Sequence, residues 1–182
     1  INTNNPIVYY TDSTSTDYYI NSGKSGTQGI EAEYTLKQKW GHIAINYAYY
    51  SAANKEKIPD YEVEDDGAAL MAFANHRVNL NSYFNIAKKL TISPTLSVYG
   101  PRYGYTSVDS TGTSVVEQLA PTALLNIYLR YETPLKGLSV GFGAYDILNQ
   151  QFKFIQPYDG YHAPLPGPGR EFVFRLQYIL NY

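Results

Sequence analysis

Between residues 171 and 182 hydrophobic and polar positions take turns. Phe172, Phe174, Leu176, Tyr178, Leu180 and Tyr182 fall on one parity, and Glu171, Arg175, Gln177 and Asn181 on the other, with Val173 and Ile179 the exceptions. A period of two specifies a β-strand with one apolar face. About 9 to 11 tilted residues cross a bilayer as a strand, which is the length of this segment.

The same pattern recurs upstream. Ile30, Ala32, Tyr34 and Leu36 alternate with Gly29, Glu31, Glu33 and Thr35; Ile43, Ile45, Tyr47 and Tyr49 alternate with His42, Ala44, Asn46 and Ala48. Val78, Leu80, Phe84 and Ile86 share a face with one polar member, Ser82, and Leu90, Ile92, Leu96 and Val98 share a face with Pro94, which removes a ladder donor. Ala123 to Tyr131 and Leu138 to Ala144 repeat the alternation, and Ile7 to Tyr10 reads as a further short strand. The stretch from Tyr18 to about Lys37 reads as one long strand whose upper half, 21–29, is polar and glycine-rich. The expected fold is therefore all-β, with about eight antiparallel strands.

Short turns are expected at 37–41, 87–89 and 133–137, about 48 residues apart, and long loops near 51–72, 100–120 and 149–170. One end of the sheet is thus short and the other long, the asymmetry of a transmembrane antiparallel β-barrel of the outer membrane. Lys37, Lys39, Lys88, Lys89 and Lys136 gather at the short end. Trp40, Tyr34, Tyr131 and Tyr182 fall there too, with Tyr47, Tyr49 and Phe172 at the other end, as two interfacial girdles require. The alternative is a soluble all-β domain with snorkelling lysines; a soluble sheet rarely keeps its long loops on one edge.

Composition narrows the choice. Among 182 residues there are 20 tyrosines and no cysteine, so neither a disulfide scaffold nor a thiolate metal site is available. A formal charge of -2 provides no basic footprint for nucleic acid. The longest apolar run, Ala68 to Ala74, has seven residues, far short of a membrane helix. The chain opens at Ile1 without an initiator methionine or a secretory signal, which we read as a fragment or a processed product.

At four places the residues resemble a known family. Tyr19-Ile20-Asn21-Ser22-Gly23-Lys24 through Gly29-Ile30-Glu31-Ala32-Glu33 resembles the Y-x-N-x-G-K and G-x-E-x-E strand of TonB-dependent outer-membrane receptors. Asn75-His76-Arg77-Val78-Asn79-Leu80 is similar to that family's P-x-H-R-x-N-L strand start, without its proline. Leu135-Lys136-Gly137-Leu138 to Tyr145-Asp146-Ile147-Leu148-Asn149 resembles L-K-G-L followed by x-N-L-F-(N/D), and Pro168-Gly169-Arg170-Glu171-Phe172 resembles the P-G-R-x-F opening of the terminal strand. The matches occur in family order over nearly the whole chain. The resemblance implies residence in the outer membrane of a Gram-negative bacterium and a barrel of about 22 strands, of which residues 1–182 are the carboxyl-terminal part. It also implies a plug domain and a TonB-contacting segment, neither matched here, with the short turns periplasmic and the long loops extracellular. The expected partners are outer-membrane lipid, the remaining barrel strands and plug, the TonB complex and a small-molecule ligand.

Candidate chemistry is sparse. By parity Glu31, Glu33, Arg130, Glu132, Glu171 and Arg175 face the lumen, together with the small residues Gly29, Ala44, Ala48, Ser93, Ser97, Gly141 and Gly143, which argue for a wide interior. Glu31 and Glu33 read as an acid/base pair would need a nucleophile or histidine beside them, and the pattern offers none, so contact with luminal water or a plug is the reading preferred. No catalytic residue is assigned. His42, His76 and His162 are scattered over a turn, a strand start and a loop without metal-ligand spacing, and no cofactor motif is present. The acidic run Asp60, Glu62, Glu64, Asp65, Asp66 lacks EF-hand spacing; it reads as a solvated loop, with loose Ca²⁺ binding the alternative.

The binding signal is aromatic. Tyr103 and Tyr105 beside Arg102, and Tyr158, Tyr161 and His162 in the last loop, suit sugars, chelates and porphyrins alike. The expected function is energised uptake of a scarce nutrient: a ferric siderophore, haem, a vitamin or a glycan. The alternatives are a structural barrel subunit of a larger envelope complex, a self-closed eight-stranded barrel in which 171–182 pairs with 1–10, and a barrel-borne lipid hydrolase, for which a Ser/His pair is missing.

Overall fold

The computed structural model of the chain describes residues 1–11, 14, 16–21, 23–156 and 163–180. The amino-terminal region holds β1 (Asn2–Asn4), β2 (Ile7–Thr11), β3 (Asp17–Asn21) and β4 (Lys24–Gly26). Next come β5 (Gln28–Gln38), β6 (Gly41–Ser51), one 3₁₀ turn (Pro59–Tyr61), β7 (His76–Ala87) and β8 (Leu90–Tyr99). β9 (Arg102–Val108) and β10 (Ser114–Leu119) form a hairpin before β11 (Thr122–Glu132) and β12 (Leu138–Tyr145). β13 (Lys153–Phe154) and β14 (Leu165–Pro166) precede the last strand, β15 (Glu171–Tyr178).

Seven strands make one antiparallel sheet in the order β15-β12-β11-β8-β7-β6-β5. Its register carries the sequence pattern across every strand. Tyr34 faces Ile45, which faces Leu80, which faces Leu96, which faces Leu125. Leu129, Phe142 and Phe174 continue that apolar face to the edge. A one-residue slip in any pair would exchange the faces, so the alternation and the pairing specify each other.

The apolar face is not covered by protein. Phe172, Phe174 and Leu176 remain 65%, 69% and 64% exposed. Among the described residues the few buried apolar side chains are Val8 and a cluster in the 52–71 loop, namely Ala52, Ile58, Val63, Ala69 and Met71. A soluble sandwich places its core against its sheet. Here the core lies in a loop and the sheet offers a continuous apolar surface, which hydrocarbon solvates and water does not. The architecture is that of part of a transmembrane β-barrel wall.

The two irregularities on this face meet each other. The hydroxyl of buried Ser82 donates to the carbonyl oxygen of Pro94 at 2.8 Å. The β7–β8 ladder lapses there, between Asn81 opposite Thr95 and Phe84 opposite Ile92. Proline removes a donor, and the serine on the facing strand satisfies a backbone acceptor where no water is present to do so.

The expected short turns are where the pattern places them: Gln38 pairs with Gly41, Ala87 with Leu90, and Glu132 with Ser139. The last of these turns uses Gly137 at φ +84, a left-handed conformation glycine adopts without strain. Three expectations change. The long strand from Tyr18 is broken at Gly23, where φ is +33, and at Thr27, into β3, β4 and β5. The region near 100–120 is not an irregular loop: β9 and β10 are hydrogen-bonded partners throughout, with one register shift at Val115/Val116. The strand at Ile7 does not join the large sheet; β1 and β2 pair with β4 and β3, and the Ile1 amino group donates to the Thr27 carbonyl at 2.8 Å. Residues 2–4 and 7–11 therefore run beside 24–26 and 17–21, and among the described residues β5 has no partner on its outer edge. Among the described residues β15 pairs only with β12, so the sheet is open and the self-closed barrel does not form.

Candidate functional site

The six expected luminal charges share the polar face. Glu31 lies opposite Ala48, which lies opposite Arg77, and Glu33 lies opposite Asn46. Arg130 lies opposite Gly141, which lies opposite Arg175, while Glu171 faces Tyr145. The exposed Arg130 guanidinium is 3.7 Å from the Glu132 carboxylate, a pair of little energetic weight in water. Glu33 accepts a hydrogen bond from the Thr35 hydroxyl at 3.3 Å. Small residues make room on this face: a side chain at Gly141 would collide with the Tyr128 hydroxyl lying across it.

At the long-loop end the polar face rises into a layer built by three segments. The backbone N–H of Ala72, in the 52–75 loop, donates to the Tyr103 carbonyl at 2.7 Å, tying that loop to the β9–β10 hairpin. On the other side Gly104 packs against Ile155: a Cβ at this position would stand 3.0 Å from the Ile155 Cβ, a tight contact with the segment after β12. Arg102 locks the junction. It is 6% exposed, with its guanidinium 4.5 Å from the Phe152 ring centroid and 5.9 Å from that of Tyr99. Its Nη1 donates to the Lys153 carbonyl at 3.4 Å, whereas its Nε is buried without a hydrogen-bond partner. Burial pulls the guanidinium pKa below its ordinary value, with Tyr99 opposing the shift. A guanidinium nevertheless stays charged at any working pH. Arg77 stacks on the other contributor to this cluster, with its guanidinium 5.1 Å from the Tyr99 centroid.

Two clefts share Arg102 as a wall. The outer one, about 490 Å³, lies between the hairpin and the strap after β12, with Thr106, Glu117, Gln118, Gln150 and Lys153 in its lining. The inner one, about 320 Å³, opens on the polar face beside Glu31, Tyr49, Phe73, Arg77 and Tyr99. Donors, acceptors and aromatic rings thus converge where the wall meets the loops.

Of the six expected ligand-binding residues, Arg102 is buried at the junction and Tyr103 stands half-buried on the opposite face of β9, its hydroxyl accepting from Gln118 Nε2 at 2.8 Å. Tyr105 is half-buried on the same face as Tyr103. Tyr158, Tyr161 and His162 lie outside the described residues, as does Tyr182 of the expected girdle. Sequence reasoning missed Arg77, Tyr99, Phe152 and Lys153. The Phe152-Lys153-Phe154 triplet was the available signal for the last pair; nothing local marks Arg77 and Tyr99 as stacking partners.

The histidines stay apart. His42 lies 5.7 Å from the Tyr83 ring on the polar face, whereas His76 accepts or donates at Nδ1 to the Tyr47 hydroxyl, 2.9 Å away, on the apolar face. His76 and its ring neighbours Tyr47 and Tyr49 build the upper aromatic girdle, and Trp40 stacked on Phe84 at 5.8 Å contributes to the lower one. In the acidic run, Asp66 is occupied in accepting the N–H groups of Ala68 and Ala69. No group of three or more His, Asp or Glu side chains placed to hold a metal occurs among the described residues.

A profile of the family described as "TonB dependent receptor-like, beta-barrel" matches residues 1–147. Among solved structures, the chain is similar to Pseudomonas aeruginosa FpvA bound to an iron complex of a heterologous pyoverdine, with 16% identity, a TM-score of 0.70, and 97% of this chain covering 23% of that one. It is similar to the ferric-catecholate import receptor Fiu of E. coli K12 in its closed form, at 16% identity and a TM-score of 0.70, over 97% of this chain and 24% of that one. A third likeness is the siderophore receptor PirA of Acinetobacter baumannii, at 14% identity and a TM-score of 0.67, over 97% and 28%. At such identities the likeness is one of fold. The chain spans about a quarter of the length of each of these structures. No match was found among curated protein sequences.

Proposed function

This chain belongs to the TonB-dependent receptor β-barrel family, and on that premise we propose that it forms part of the wall and the ligand-collecting rim of an outer-membrane receptor for energised uptake of a ferric siderophore. The observation that carries the reading is the one-sided sheet capped by two clefts that share the buried cation Arg102. The family is one of receptors, not of enzymes.

The free edges of β5 and β15 cannot stay unpaired in lipid. They are completed in our reading by further strands, in a barrel of about 22 with a plug inside and a TonB-contacting segment beyond it. The luminal charges Glu31, Glu33, Arg130, Glu132, Glu171 and Arg175 then face the plug and its water, and the short turns are periplasmic. Arg102, Tyr103 and Tyr105 contribute cation and ring faces to an anionic, partly aromatic chelate, with Tyr158, Tyr161 and His162 assigned to the same rim.

Uptake of radiolabelled iron by cells carrying the full-length protein tests this, with a panel of ferric siderophores and haem. Tyr103→Ala and Tyr105→Ala should weaken binding by about 1 to 3 kcal/mol at any hot spot, and loss of TonB should abolish uptake while binding persists. Uptake of every chelate at wild-type rates by both variants, with a partner protein lost on pull-down, would transfer the chain to a structural role in an envelope complex.

A further inference from the structure

The short-turn end of the sheet has a chemistry that transport does not use. Its three turns carry Lys39, Lys88, Lys89 and Lys136, all exposed, and no acidic residue. The opposite end carries Glu62, Glu64, Asp65 and Asp66, so the two ends differ in sign. The turns form a continuous rim. The Asn85 N–H donates to the Trp40 carbonyl at 2.7 Å, the Glu132 N–H to the Lys89 carbonyl at 2.8 Å, and the Ile179 N–H to the Gly137 carbonyl at 2.8 Å. Lys89 itself reaches across to the Thr133 carbonyl at 3.4 Å, leaving it two further donors. Strands spaced about 4.8 Å apart set neighbouring turns about 10 Å from each other, so the ammonium groups form a row and not a cluster.

Beside the lysines stand apolar side chains on the same rim. Leu135, adjacent to Lys136, is 67% exposed, and Trp40, adjacent to Lys39, stacks on Phe84 at the lower margin of the apolar face. Ile86 lies at the register shift between Asn85 and Ala87, two residues before Lys88, and is 59% exposed. An apolar anchor next to each ammonium is the amphipathic arrangement that sits at the boundary between acyl chains and headgroups.

We propose that this rim is a binding belt for anionic phospholipid, the phosphates of a phosphatidylglycerol-type headgroup seated on Lys39, Lys88, Lys89 and Lys136 while Leu135, Ile86 and Trp40 enter the acyl boundary. The proposal rests on the membrane reading of the sheet. It adds a preference for one lipid class, set by this end alone, and is independent of which ligand the other end takes. Each lysine near an anionic surface contributes attraction equivalent to about a fivefold change in occupancy.

The test is native mass spectrometry of the full-length protein released from nanodiscs holding equal parts phosphatidylglycerol and phosphatidylethanolamine. The wild type should leave with phosphatidylglycerol enriched. Any one Lys→Gln substitution should lower that enrichment by about fivefold, and K39Q/K88Q/K89Q/K136Q by more than tenfold. The K55Q/K57Q variant, at the long-loop end, should match the wild type. Heat-modifiable electrophoretic mobility checks folding, and siderophore binding by the quadruple variant checks the receptor reading separately. Equal lipid composition in wild type and quadruple variant, both folded, would overturn the proposal. So would loss of an acidic protein from the complex with bound lipid unchanged, which would assign the rim to a protein partner. Failure of the wild type to enter nanodiscs at all would instead refute the membrane reading beneath it.

Discussion

Replacing Arg102 separates packing from ligand recognition. In the wild type its guanidinium gains about 0.5 to 2 kcal/mol from the Phe152 and Tyr99 rings and about 0.5 to 1 kcal/mol from the long bond to the Lys153 carbonyl, while its buried methylenes contribute about 2 kcal/mol. Opposing these is the orphaned Nε, whose desolvation costs about 1 to 3 kcal/mol. Arg102→Ala loses the first three and relieves the last, a net loosening of about 1 to 2 kcal/mol between the β9–β10 hairpin and the strap at 147–156. Arg102→Met keeps the stem, gains sulfur–aromatic contacts of about 0.3 to 1.5 kcal/mol and also relieves the orphan, so it should be nearly neutral. Hydrogen-exchange mass spectrometry reads both. Peptides spanning 102–119 and 147–156 should exchange about 5- to 30-fold faster in the alanine variant and at wild-type rates in the methionine variant, with anionic ligand affinity reduced in each. If methionine loosens the loops as much as alanine does, the charge itself holds the junction and the reasoning fails. If methionine preserves both the loops and ligand affinity, Arg102 contacts no ligand.

Three other outcomes follow from the same geometry. Ser82→Ala strands the Pro94 carbonyl in the apolar face and should cost about 1 to 3 kcal/mol, seen as a lower urea midpoint for unfolding from lipid vesicles, whereas Ser82→Thr should restore it. Leu176→Arg sets a charge in the apolar face of β15 at a cost of about 2 to 4 kcal/mol at the bilayer midplane, and heat-modifiable mobility should report impaired assembly; normal assembly would place this face away from lipid. The Asp109 carboxylate, at the tip of β9–β10, is held below its ordinary value of 3.8 first by the Thr111 hydroxyl and then by the Thr113 and Thr111 N–H groups. Its contribution to the tip is therefore complete above the ordinary carboxylate value and is lost as pH falls below it. Protection of the Thr111 and Thr113 amides, taken relative to free-peptide exchange at each pH, should persist at pH 5 and be lost only below about 3.8, and Asp109→Asn should remove that pH dependence.

Alternation alone determined much of the wall. A period of two, interrupted by Lys39-Trp40, by Lys88-Lys89 and by 133–137, states which side chains share a face and where the chain reverses, because strand pairing preserves parity from one strand to the next. That is why Glu31, Arg130 and Arg175 were legible as members of one face, although the first and last lie on opposite edges of the sheet. What pairing brings together from opposite strands was not legible. Ser82 and Pro94 read as separate defects and are one hydrogen bond, and nothing in the stretch 100–120 marked Gly104 as the close neighbour of Ile155. Residues 100–120 were read as an irregular loop because their polar alternation follows no apolar face; their strands are held by a partner ribbon and by neighbouring loops, not by lipid. Burial of Arg102 likewise depends on rings contributed from β8 and from the strap after β12, contacts that loop closure makes and local composition does not encode. The sequence by itself determined the two faces and the two ends; the tertiary structure decided which long-range partners meet above the wall, since only closure of the loops sets those distances.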